Sequence, residues 1–132
     1  MRRIVKLAAL VLAGGIAARV HAEGSADAKI STALTEINAA SERGDFGEVQ
    51  TQRTKLGEYA GSVGQFELAA RQYELLLAAR PGRSDRVRFS TKLGRMYVAL
   101  GDYSRAIRAF DDALHDHDGP PLRRDGRFSL QW

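Results

Sequence analysis

No cysteine occurs among the 132 residues, which excludes disulfide staples, thiolate-bound zinc, iron–sulfur clusters and a lipid-modified cysteine anchor. Proline is confined to Pro81, Pro120 and Pro121, each placed where a helical pattern has already ended. A true excess of charge is missing as well. The formal net charge is +4, but Arg2, Arg3, Lys6 and Arg19 fall in residues 1–22, which hold no acid, and the remainder carries 16 charges of each sign. A nucleic-acid partner is therefore not expected, because phosphate binding needs a surplus of Lys and Arg gathered on one face. Catalytic motifs are also lacking: there is no thiol nucleophile, no glycine-rich phosphate loop between strand and helix, and no histidine bracketed by a serine and an acid. Glu58, Glu67 and Glu74 read as ordinary surface acids. No enzymatic activity and no cofactor are expected, and the length suits one domain with a modest core.

What is present begins with an address. Arg2, Arg3 and Lys6 precede an uncharged run from Leu7 to Ala18, and Val20-His21-Ala22 offers residues a signal peptidase accepts, with the cut after Ala22. A membrane-spanning helix needs about 20 apolar residues, whereas Ile4 to Val20 gives 17, interrupted by Lys6 and Arg19. The expectation is a cleaved signal peptide (1–22), a periplasmic or secreted chain, and no stable membrane insertion after cleavage.

Beyond residue 22 the good helix formers Ala, Leu, Arg and Glu dominate, and no segment keeps a strand period. Ile30, Leu34, Ile37 and Ala40 or Ser41 mark a helix from about Ala26 to Arg43. Gly44 then ends it and Asp45 caps a second, more polar helix over Phe46–Ser62. A third runs from Phe66 to Arg80 and stops at Pro81-Gly82. Ser84 or Asp85 caps a fourth to about Leu100, and Asp102 caps a fifth from Tyr103 to about His115. Short connections make consecutive helices antiparallel. The fold class is all-α.

The strongest signal is internal repetition. Leu56, Gly57, Gly64, Phe66, Ala69, Tyr73, Leu76 and Leu77 pair with Leu93, Gly94, Gly101, Tyr103, Ala106, Phe110, Ala113 and Leu114 at a constant offset of 37 residues. Gly57 and Gly94 are expected to admit the partner helix at Ala69 and Ala106. Gly64 and Gly101 allow the tight turns, Phe66 and Tyr103 pack beneath the preceding helix, and Tyr73 and Phe110 fill the space between neighbouring pairs. One helix pair cannot close such a core, so neighbours must stack.

The second copy resembles a tetratricopeptide repeat through Leu93-Gly94, Tyr97, Gly101, Tyr103, Ala106, Phe110 and Ala113-Leu114. The first copy matches with Pro81 at its end, although Ala60 stands where an aromatic is usual. Tryptophan is missing near the start of both copies, and three extra residues lie in the Gly82–Val87 connection. The resemblance implies helix-turn-helix repeats stacked as a short right-handed solenoid of about five helices. Its parts are a degenerate capping helix (23–49), repeats at 50–83 and 88–121, and a C-terminal tail (122–132).

The resemblance further implies a concave face lined by the first helix of each pair. Arg88, Lys92 and Arg95 share one helix face at i, i+4 and i+7, at the second, sixth and ninth repeat positions. Arg88 and Lys92 match cations of the family's carboxylate-clamp subclass, but the clamp's asparagines are absent and Glu58 takes the ninth position of the first copy. Lys55, Glu58, Arg88, Lys92 and Arg95 are the candidate groove residues, for an acidic or extended peptide or, as the plainer reading, a solvated charged face. Asp111, Asp112, His115, Asp116, His117 and Asp118 form an acidic cluster; His115 and His117 point to different sides of a helix, so no metal is expected. The tail, with Phe128, Leu130 and Trp132, admits three readings: self-capping, docking on another subunit, or the edge of a longer array. The functional expectation is an exported scaffold binding a protein or peptide, in a bacterial envelope assembly. The alternatives are a self-associating structural protein, hence a homo-oligomer, or a small metal-dependent hydrolase.

Overall fold

The computed structural model describes residues 24–117; the segment expected to be a signal peptide, the last residues of the second repeat and the 122–132 tail lie outside them. The described residues form α1 (24–42), α2 (Phe46–Ser62), α3 (Phe66–Ala78), α4 (Arg83–Ala99) and α5 (Tyr103–His117), with no strand among them. No helix among them is long and apolar enough to cross a membrane.

Three of the four connections are built identically. Gly44, Gly64 and Gly101 take φ of 71°, 83° and 77°, the left-handed region that glycine enters without a Cβ penalty. The next residue then reaches back: Asp45 N–H donates to Ala40 O (2.9 Å), Gln65 N–H to Ala60 O (2.8 Å) and Asp102 N–H to Tyr97 O (2.9 Å). These bonds satisfy carbonyls the helix end leaves open. The same residue starts the next helix. Asp45 Oδ1 accepts from Glu48 N–H (3.1 Å) and Asp102 Oδ1 from Arg105 N–H (3.2 Å), as expected, while Gln65 makes no side-chain cap bond.

The α3–α4 connection differs from expectation. α3 stops at Ala78, two residues before Arg80, because Arg80 turns to φ 54° ahead of Pro81, whose ring disfavours helical geometry in the preceding residue. α4 starts at Arg83 with Gly82 as its N-cap and no side-chain cap bond. Ser84 and Asp85 therefore lie inside the first turn, where the Asp85 carboxylate still favours the positive helix end. α5 extends to His117.

Two linked core clusters run along the stack. Ile37, Ala40, Val49 and Leu56 join α1 to α2, with Ile30, Ala33 and Leu68 packed against them. Leu34 is 38% exposed and does not belong to the buried stripe; Ala33 takes its place. The second cluster holds Ala60, Ala69, Ala70, Tyr73, Leu76, Phe89, Leu93, Tyr97, Ala106 and Ala109, with Leu68, Leu77, Met96 and Phe110 against it. Burying a side chain such as Phe89 is worth about 1.5–3 kcal/mol.

The glycine notches exist, but different side chains fill them. A Cβ on Gly57 would lie 3.0 Å from Tyr73 Cζ, and one on Gly94 would lie 2.6 Å from Phe110 Cε1. Ala69 instead approaches Gly61, 3.9 Å from that glycine's would-be Cβ. Tyr103 does not pack beneath the preceding helix: it is 64% exposed, while Phe66 is half-buried.

Candidate functional site

One of the residues expected in a groove, Arg88, lines a cleft of about 360 Å³ between α2 and α4, floored by the α3–α4 turn. α2 contributes Gln50, Thr51 and Thr54, the turn contributes Ala79, Pro81 and Gly82, and α4 contributes Asp85, Arg88 and Phe89. The N-terminal halves of α2 and α4 form its walls, and the turn between them follows Arg80, which takes φ 54° ahead of Pro81. Phe89 is anchored from behind by Tyr73, the ring centroids 6.2 Å apart.

One wall accepts hydrogen bonds. Thr51 Oγ1 donates to Gly47 O (3.1 Å) and Thr54 Oγ1 donates to Gln50 O (2.8 Å). Each hydroxyl has one proton, so those bonds leave oxygen lone pairs as the remaining capacity. The opposite wall carries Arg88, which pairs with Asp85 (3.2 Å) and lies 4.9 Å over the Phe89 ring centroid. Beneath it Tyr73 is 2% exposed. Its phenol is pushed up to about 12, first by burial and then by the nearby Glu58 carboxylate, with Arg88 pulling the other way. Tyr73 thus stays a neutral hydroxyl under ordinary conditions.

Of the five residues expected in a groove, Arg88 alone lines this cleft. Glu58 and Lys92 come together, Lys92 Nζ donating to Glu58 Oε1 at 2.6 Å, which ties α2 to α4. Lys55 and Arg95 are exposed and do not line it. Two of the three α4 cations are therefore matched by acids, and the face is no bare positive stripe. Thr51, Thr54 and Phe89 were not anticipated, although their signal was available: Thr51 sits at the same second repeat position as Arg88, and Thr54 one turn further along the same side.

A second hollow of about 390 Å³ lies between α3 and α5 and is rimmed by Glu67, Arg71, Glu74, Tyr97, Asp102 and Arg105. Four of its charges are paired locally: Arg71 with Glu74 (3.6 Å) and Arg105 with Asp102 (3.4 Å). Tyr97 O–H donates to Glu74 Oε1. Burial first, and that bond to a carboxylate second, push the Tyr97 phenol up to about 12. In the acidic cluster, His115 Nδ1 bonds the Asp111 carbonyl (2.8 Å) and lies 3.6 Å from its carboxylate. Among the described residues no group of three His, Asp or Glu side chains is disposed to hold a metal ion. Neither hollow sets a nucleophile against a base. What the α2–α4 cleft offers is acceptor oxygens on one wall and a guanidinium with an aromatic face on the other.

Comparison with curated proteins and with solved structures finds no match to either. Against protein families, the Tetratricopeptide repeat family matches over residues 54–121 and again over residues 91–130, more than half of the chain. Repeats of this family generally mediate protein–protein interaction and generally form non-enzymatic scaffolds. With its glycine-notched helix pairs, its three identical turns and this match, the chain belongs to the tetratricopeptide repeat family.

Proposed function

We propose that the chain is exported by its first 22 residues and acts in the bacterial envelope as a scaffold that holds an extended polypeptide segment of a partner in the α2–α4 cleft. The observation that carries this reading is the pairing of an acceptor wall, Thr51 and Thr54, with the Arg88–Phe89 wall opposite. An extended chain offers N–H donors and carbonyl acceptors along its length, so it engages both walls at once. Because Arg88 and Lys92 already have acidic partners, recognition rests on backbone and apolar contacts more than on a negatively charged ligand. The charges tune encounter and selectivity.

Photo-crosslinking in envelope preparations tests this directly. A probe amino acid at Thr54 should capture a partner that the same probe at Arg71, in the outer hollow, does not. Arg88→Glu combined with Thr54→Arg should abolish the adduct while helicity by circular dichroism is kept. Capture from Arg71 alone, or persistence of the Thr54 adduct in the double variant, overturns the assignment. Export has its own readout: the mature N-terminus should be Glu23, and retention of Met1–Ala22 in the purified envelope protein contradicts it.

A further inference from the structure

α5 ends the described stack with one side bare. Tyr103, Ile107 and Leu114 are 64%, 68% and 59% exposed, and with half-buried Phe110 they fall on one face of the helix. Their counterparts 37 residues earlier are Phe66, Ala70, Leu77 and Tyr73 on α3. There the same face is covered by α4. Ala70 is 4% and Tyr73 2% exposed, Leu77 packs against the cluster that includes Phe89, Leu93 and Tyr97, and the Phe89 ring lies 6.2 Å from that of Tyr73. The bare side of α5 therefore has the form of a seat for one more helix of the α4 kind.

The chain itself carries a sequence that fits it. Arg88-Phe89-Ser90 begins ten residues after α3 ends at Ala78, and Arg127-Phe128-Ser129 begins ten residues after α5 ends at His117. In this register Pro120 falls on Pro81 and Trp132 on Leu93. Phe89, Ser90 and Leu93 are the residues α4 buries, at 4%, 4% and 8% exposure, so the positions that pack in α4 are occupied here by Phe128, Ser129 and Trp132. The second family match, over residues 91–130, also runs past the end of α5. We propose that the chain's own segment 122–132 is the occupant of this face and docks on Tyr103, Ile107 and Leu114, with Phe128 and Trp132 at the register positions that Phe89 and Leu93 hold on α4. The stripe from Tyr103 to Leu114 rises about 16 Å along α5, a span that a segment of eleven residues is long enough to cover. This seat shares no residue with the α2–α4 cleft, and the inference stands apart from the export and peptide-binding readings.

Trp132 is the one tryptophan of the chain, so tryptophan emission from the full-length protein reports on this contact alone. Docking gives blue-shifted emission, and Ile107→Asp with Leu114→Asp moves it to the red with helicity retained, since both positions are exposed. Ser104→Asp, off the stripe, leaves the emission where it was. Independently, Ile107→Cys with Phe128→Cys in this cysteine-free chain forms a disulfide within one molecule on oxidation. Solvent-like emission in the parent protein overturns the proposal. So does blue-shifted emission that the Asp pair does not move, and so does a disulfide that joins two molecules, which would make a second copy the occupant.

Discussion

At Gly94 an added Cβ would meet three atoms of the Phe110 ring within 2.8 Å, while at Gly61 the nearest atom is Met96 Sδ at 3.3 Å. Glycine within a helix costs about 1 kcal/mol relative to alanine, whereas overpacking costs about 1–3 kcal/mol. The two positions should therefore respond with opposite sign. Gly94→Ala is expected to lower stability by about 1–2 kcal/mol in urea denaturation, and Phe110→Leu in the same chain should recover part of that loss. Gly61→Ala should be neutral or stabilising, because the methionine side chain bends away at little cost. Sequence periodicity picked out Gly57 and Gly94 but assigned them to Ala69 and Ala106, one turn from the rings that fill the space. The reason lies in side-chain direction: on a helix a long side chain leans toward the N-terminus, so the Tyr73 ring comes to lie at the level of Ala69. Spacing tells which residues share a face, not how far along it each one reaches.

Helix boundaries were legible wherever a single residue decides them. Gly44, Gly64 and Gly101 ended helices as read, and Asp45 and Asp102 capped the next ones. The reading failed at the one connection without such a residue, where Arg80 and Pro81 share the work. These turns also offer a clean comparison, since Asp45, Gln65 and Asp102 occupy the same place and only Gln65 leaves the cap unmade. Gln65→Asp should stabilise the protein by about 0.5–1 kcal/mol and Asp102→Ala should cost about 1 kcal/mol, both measurable as shifts in urea midpoint at unchanged m-value. The charged face of α4 was legible in composition but not in state. Glu58 lies 34 residues from Lys92, and no local pattern announces such a pair. It is part-exposed, so a double-mutant cycle of Glu58→Ala and Lys92→Ala should return a coupling below about 1 kcal/mol.

The molecule as a whole should be sensitive to alkali. Tyr73 and Tyr97 sit at about 12 when folded against the ordinary 10. Below pH 10 both phenols are neutral in either state and their burial carries no ionisation penalty. Between about pH 10 and pH 12 the unfolded chain loses those protons first, so stability falls as pH rises, by at most about 3 kcal/mol per tyrosine. Thermal midpoints followed across that window should drop steeply, and Tyr97→Phe should make the decline shallower; an equally steep decline in that variant contradicts the assignment.

Among α2 to α5, extensive packing joins only helices consecutive in the chain. Each therefore rests chiefly on the one before and the one after, with a lighter tie from α2 to α4 through Glu58 and Lys92. A tandem copy of the 37 residues from Gly64 to Leu100, spliced in ahead of Gly101, would meet surfaces already shaped for it on both sides: the notch of Gly94 for its tyrosine, and the start of α5 for its last helix. Such a gene can grow by duplication in whole units, lengthening the protein without redesigning any part of it.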